Sequence, residues 1–169
     1  MANTYTLIEA KTLGSAVSSI DFTSIPQTYT DLKLVISARS STEEHYAIGF
    51  NSNTSSYSGI SLRGSGTAIA TYLTTAYSYG STAIGLGYIN DVTSTFTNCE
   101  IYIPNYTSSN NKSLSADNVQ EKNVSGPVYA NLTVGLWSNS AAITSIQIKT
   151  QAGNLAINST FYLYGISKS

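Results

Sequence analysis

Few residues in this 169-residue chain are of types that do acid–base, nucleophilic or metal chemistry. His45 is its one histidine and Cys99 its one cysteine. A Ser-His-Asp or Cys-His mechanism would have to run through His45, with a nucleophile placed by the fold. Glu43, Glu44 and His45 are consecutive, and that run lacks the ligand spacing of a zinc or facial-triad site. A solvated turn entering a strand over 46–50 accounts for the same residues. No Gly-x-Ser-x-Gly elbow occurs. Cys99 alternates with Ile101 and Ile103, so it reads as a small hydrophobe, with no local cation to lower its pKa. Asp21, Asp31, Asp91, Glu100, Asp117 and Glu121 are available carboxylates, but a glycosidase needs two across a cleft and no motif selects a pair. Gly64-Ser65-Gly66 is too short, and too far from any helix, to cradle a phosphate. The chain is therefore read as a binding or structural component, with no catalytic, cofactor or metal residue assigned.

Tyrosine is the unusual resource, with 13 copies against 4 Phe and 1 Trp. Tyr72, Tyr77, Tyr79 and Tyr88 form a local tract, and Tyr5 stands near the N-terminus. Exposed tyrosines anchor protein interfaces and sugar-binding surfaces, so these five are the candidate interface. Alternate tyrosines that simply cap a core fit the same pattern, and spacing leaves the two open.

The elements that position these residues read as strands throughout. Charged residues make up only 10% of the chain, and Ser, Thr and Asn supply the polar surface. Those side chains compete for backbone hydrogen bonds and make poor helices. Period-two alternation is clearest over 31–40, where Leu32, Leu34, Ile36 and Ala38 oppose Lys33, Val35, Ser37 and Arg39. Cys99, Ile101 and Ile103 oppose Glu100 and Tyr102; Leu132, Val134 and Leu136 oppose Thr133 and Trp137. Ile146 and Ile148 alternate with Gln147 and Lys149. Phe161, Leu163 and Gly165 oppose Tyr162, Tyr164 and Ile166, which predicts a central strand covered on both faces. Pro104 closes the strand ending at Ile103. Ala68 to Ala76 is read as strand or loop rather than helix. About ten to twelve strands at sandwich spacing predict one all-β domain over 1–169, an antiparallel β-sandwich of jelly-roll type, with 51–87 as a loop-rich excursion.

Net charge is −1 with a pI near 5.7, and no basic patch exists to drive nucleic-acid binding. The N-terminus lacks the basic flank and apolar run of a signal peptide, and no apolar run is long enough for a membrane span. These features predict a product made in the cytoplasm, with no nucleic-acid or membrane partner.

Four strings carry a resemblance: FTSIPQTYTDLKLVISARS (Phe22–Ser40), FTNCEIYIPNYTSSNNKSLSADN (Phe96–Asn118), VGLWSNSAAITSIQIK (Val134–Lys149) and STFYLYGISKS (Ser159–Ser169). Together they resemble small virion structural proteins of tailed phages, including cyanophages. The resemblance implies a β-sandwich, oligomeric assembly on a symmetric particle and no catalytic residues. It implies either a capsid decoration (cement) protein or a tail-associated, receptor-binding module that recognises glycans. A fibre normally carries an anchor and a shaft, whereas this chain opens almost at once on strand-like sequence and ends in a strand. The expectation is a decoration protein on the virion capsid surface, bound to the major capsid protein, as a homo-oligomer with a trimer favoured.

Overall fold

The computed structural model describes residues 4–73, 79–123, 125–126 and 128–167. Where β-branched and aromatic residues alternate with Ser, Thr, Asn and Lys, strands form: β1 (Tyr5–Thr12), β2 (Ser19–Phe22), β3 (Asp31–Ala38), β4 (Glu44–Phe50), β5 (Tyr57–Gly64) and β6 (Ile69–Leu73). They continue as β7 (Ile84–Ile89), β8 (Thr97–Ile103), β9 (Lys112–Val119), β10 (Ala130–Trp137), β11 (Ile146–Thr150) and β12 (Thr160–Ile166). A 3₁₀ turn spans Gly80–Thr82. Among the described residues, seven other than glycine adopt left-handed φ, and each is Ser or Asn at a turn or loop. Asn tolerates that region best, and Ser has no branch to clash there. The polar composition that discourages helices thus also supplies the turns.

Strand pairing is nested. β1 pairs with β12, β2 with β11, β3 with β8 and β4 with β7, all antiparallel. A long hairpin rolled up on itself gives this order, with β1-β12-β3-β8 in one sheet and β2-β11-β4-β7 in the other. This is a jelly roll. Two hairpins are inserted into it, β5–β6 between β4 and β7, and β9–β10 between β8 and β11. They pair with each other through β10 and β5 and extend the first sheet to eight strands, in the order β1-β12-β3-β8-β9-β10-β5-β6. The stretch 51–87 holds β5 and β6, at the far edge of this sheet, and the start of β7, in the other, with its remaining described residues in turns and loops.

The core fills the space between the sheets. Phe22, Leu32, Leu34, Ile36, Ile48, Phe50, Ile84, Ile101, Ile146, Ile148, Phe161 and Leu163 are all buried there. β3, β8 and β11 present the faces their alternation predicts. β12 is central, between β1 and β3, but it is covered on one face only. Tyr162, Tyr164 and Ile166 are half-buried on the outer side, where their polar tips and long rings make a second covering layer unnecessary. β10 departs further from its pattern. Its inward row is Asn131, Thr133, Gly135 and Trp137, while Leu132, Val134 and Leu136 look outward.

Candidate functional site

The inversion of β10 follows from what lies beneath it. Trp137 stacks on Tyr57 with ring centroids 6.1 Å apart and meets Phe50 at 5.6 Å. These large rings anchor one end of the strand to the core. Along the rest of β10 the edge strand β7 comes too close for large side chains. A Cβ on Gly135 would lie 2.7 Å from Ile84 Cδ1, and one on Gly87 (φ +116°) would lie 2.6 Å from Asn131 Nδ2. Small polar groups fill the remaining gap. Thr133 Oγ1 donates to Ser61 Oγ at 3.1 Å, Tyr46 donates to Asn118 Oδ1 at 2.8 Å, and Asn118 Nδ2 donates to the Tyr88 carbonyl at 3.2 Å. With its inner row thus restricted, β10 carries its aliphatic residues on the outer face.

The outcome is a continuous aliphatic surface over β10, β5 and β6. Val134 faces Ile60, which faces Leu73; Leu132 faces Leu62. Leu132 is 60% exposed, Val134 59% and Ile69 78%, and Leu136 and Val119 extend the patch. Scattered exposed aliphatics need no explanation, but a contiguous patch of this kind marks an interaction surface. Three hollows flank the ridge: one of about 520 Å³ toward β8, one of about 410 Å³ beside Ser58, Gly59 and Ser113, and one of about 200 Å³ beside Gly64 and Ala130. Lys33, Glu100, Tyr102 and Asp117 edge the largest hollow, with Lys33 and Glu100 paired at 2.7 Å.

The predicted tyrosines do not form one surface. Tyr72 and Tyr88 meet around Arg63, whose guanidinium lies 4.1 Å from the Tyr72 ring centre, 4.9 Å from Tyr129 and 5.4 Å from Tyr88. Tyr88 also stacks on Tyr129 at 4.7 Å and meets His45 in a tilted contact at 4.1 Å. These ring faces are occupied by one another and by the cation, so they work as cross-sheet packing rather than as an open platform. Tyr79 is buried and donates to the His45 carbonyl at 2.9 Å, and burial raises its phenol pKa well above the ordinary value. Tyr5 is exposed on β1 and lines the largest hollow of the outer face. Tyr77 lies outside the described residues.

The candidate catalytic groups are drawn apart. Glu44 accepts from Ser40 Oγ and the Ala152 amide, Glu43 from Lys122 and Gln120, and His45 turns toward Tyr88. Burial, followed by the charge of Arg63, pushes His45 down to about 4, so the ring is neutral at physiological pH. Cys99 is fully buried, and burial pushes its thiol up to about 12, which suits a packing residue. Asp31 accepts from Tyr102 Oη and the Asn105 amide, and Asp21 from Gln147. Glu100 and Asp117 face each other across β8 and β9, and Glu100 is committed to Lys33.

No protein-family model matches the chain, and no curated protein matches it in sequence. The fold itself defines a class: an antiparallel jelly-roll sandwich with one sheet widened by two inserted hairpins. The residues of its main exposed surface, Ile60, Leu62, Leu73, Leu132 and Val134, escape a search for chemical motifs. One signal in the sequence marks them. Trp137 and Tyr57 are the bulkiest residues of their strands, and their parity points the alternate aliphatics outward.

Proposed function

We propose that this protein is a structural component of a tailed-phage virion, a capsid decoration protein that binds and stabilises the assembled head. The observation that carries the reading is the uncovered aliphatic face of the widened sheet. A surface of that size is costly to leave in water, and assembly subunits bury such faces against neighbours. The resemblance of four strings to small virion structural proteins supports the same reading. So does the surface as a whole, which is low in charge and rich in Ser, Asn and Tyr and suits modest contacts multiplied by symmetry. Binding only to the assembled shell stabilises it by mass action. The test is copy number in the purified virion of the phage that encodes the chain, by quantitative mass spectrometry. Hundreds of copies on the head are expected; a few copies at the tail would overturn the proposal.

A second reading, a tail-associated module that recognises glycans, draws on the hollow where Tyr5 and Tyr102 stand beside Lys33, Glu100 and Asp117. Aromatic faces next to charged hydrogen-bonding groups suit sugar rings. It predicts binding to host polysaccharide that Tyr102→Ala abolishes, and a null result with host cell-surface extract removes it.

A further inference from the structure

We infer that the aliphatic face over β10, β5 and β6 docks against the same face of a second copy of this chain, about a two-fold axis. The inference rests on reading that face as an assembly surface, and it names the occupant. Three properties select a second copy. The first is extent: Ile60, Leu62, Ile69, Leu73, Leu132 and Val134, each 43–78% exposed, form one contiguous apolar patch over three adjacent strands. That spread is comparable with the patch of about 800 Å² that each partner contributes to a standard stable interface. The second is shape. Ridge and hollow lie side by side on one patch, with Leu132, Val134 and Ile60 standing beside depressions floored by Ser58, Gly59 and Gly64. A two-fold rotation sets each ridge into the other copy's hollow, so a single surface supplies both halves of the fit. The third is charge. No charged side chain projects from these rows; Asp117 and the Lys33–Glu100 pair stand at the rim, and Arg63 turns inward toward Tyr72, Tyr88 and Tyr129. A charged partner gains nothing from such a face, whereas two copies of a chain with net charge −1 meet with little repulsion.

The result differs from the trimer that the virion resemblance carries, because an isologous face closes after two copies. It would leave the Tyr- and Lys-bearing half of the same sheet, over β1, β12 and β3, for other contacts.

Sedimentation velocity of the full chain from 1 to 100 µM, a range spanned by many weak dimers, is the first measurement. A dimer is expected, and Val134→Asp is expected to leave only monomer with an unchanged near-ultraviolet circular dichroism spectrum. Cross-linking gives a second readout that does not depend on that variant folding. With a flexible bismaleimide long enough to span the offset between ridge and hollow, Val134→Cys should cross-link to a dimer about tenfold or more faster than Leu7→Cys, an exposed site on the far edge of the sheet. Buried Cys99 adds little background. A wild-type monomer at the highest concentration, a trimer, an oligomer that survives Val134→Asp, or equal cross-linking at the two sites would each overturn the inference. A monomer that still coats isolated heads overturns it and leaves the decoration reading standing; a dimer that ignores heads does the reverse.

Discussion

His45 occupies a position where a half-buried imidazole, a guanidinium and two stacked phenols share one small volume, and its chemistry follows from that company. Its folded pKa of about 4 lies below the ordinary 6.5. Between those values the unfolded chain takes up a proton that the folded chain refuses. Stability is therefore full above pH 6.5 and falls as pH drops toward 4, by about 1–2 kcal/mol after allowance for partial exposure. Urea unfolding from pH 4 to 7 should show this slope, and His45→Gln should flatten it relative to wild type. Glycines give a second test at this scale. Gly135 leaves room for Ile84, so Gly135→Ala should cost about 1–3 kcal/mol by overpacking. Adding Ile84→Val should recover part of that loss in a double-mutant cycle, because the two side chains then compete less for one space. A cycle with no coupling would mean that β7 and β10 are not in contact as described.

Individual strands show where alternation informs and where it misleads. For β3, β8 and β11 the aliphatic row is the buried row, because each lies over the full thickness of the opposite sheet. From Asn131 to Gly135, β10 lies against the edge strand β7, whose Ile84 side chain leaves no room for a Cβ at Gly135, and its aliphatic row turns outward. Alanine substitutions separate the two situations. Trp137→Ala should cost about 3–5 kcal/mol of stability, as expected for a large core aromatic. Leu132→Ala and Val134→Ala, measured below any self-association concentration, should stay within about 0.5 kcal/mol of wild type. Losses of 2 kcal/mol or more at Val134 would contradict its outward placement. The candidate site was hidden from the sequence for this reason: a row reading Leu-x-Val-x-Leu looks like core until the strand on the opposite sheet is known to leave no room for it. Trp137 was the legible warning, since a residue of that size on the opposite row competes for the core.

At the scale of the whole molecule, the first strand pairs with the last. Tyr5 stands opposite Ile166, so the first sheet cannot close until two strands about 150 residues apart have met. Such non-local pairing predicts refolding in the millisecond-to-second range or slower, measurable by Trp137 fluorescence after dilution from denaturant. Hydrogen exchange should protect the amides of β12 and β3, which have strands on both sides, far more than those of β1 and β6, which have an open edge. If β6 proves as protected as β3, a further strand or chain must cover that edge.

The sequence by itself determined the all-β class, the position of most strands, the scarcity of charge and the burial of Cys99 beside Ile101 and Ile103. These follow from local chemistry: period-two patterning, Asn- and Ser-led turns, and the solvation of each side chain. The sandwich of jelly-roll type was also legible from the number and spacing of the strands. Only the tertiary structure decided that two distant hairpins pair through β5 and β10 to widen one sheet beyond the other. The close approach of β7 restricts the inner row of β10 to small and polar residues and leaves the aliphatic rows of β10, β5 and β6 on the outer face, and the same pairing gathers Tyr72, Tyr88 and Tyr129 around Arg63 while leaving Tyr5 elsewhere. Alternation assigns residues to two faces of a strand, but only the neighbouring sheet decides which of those faces meets water.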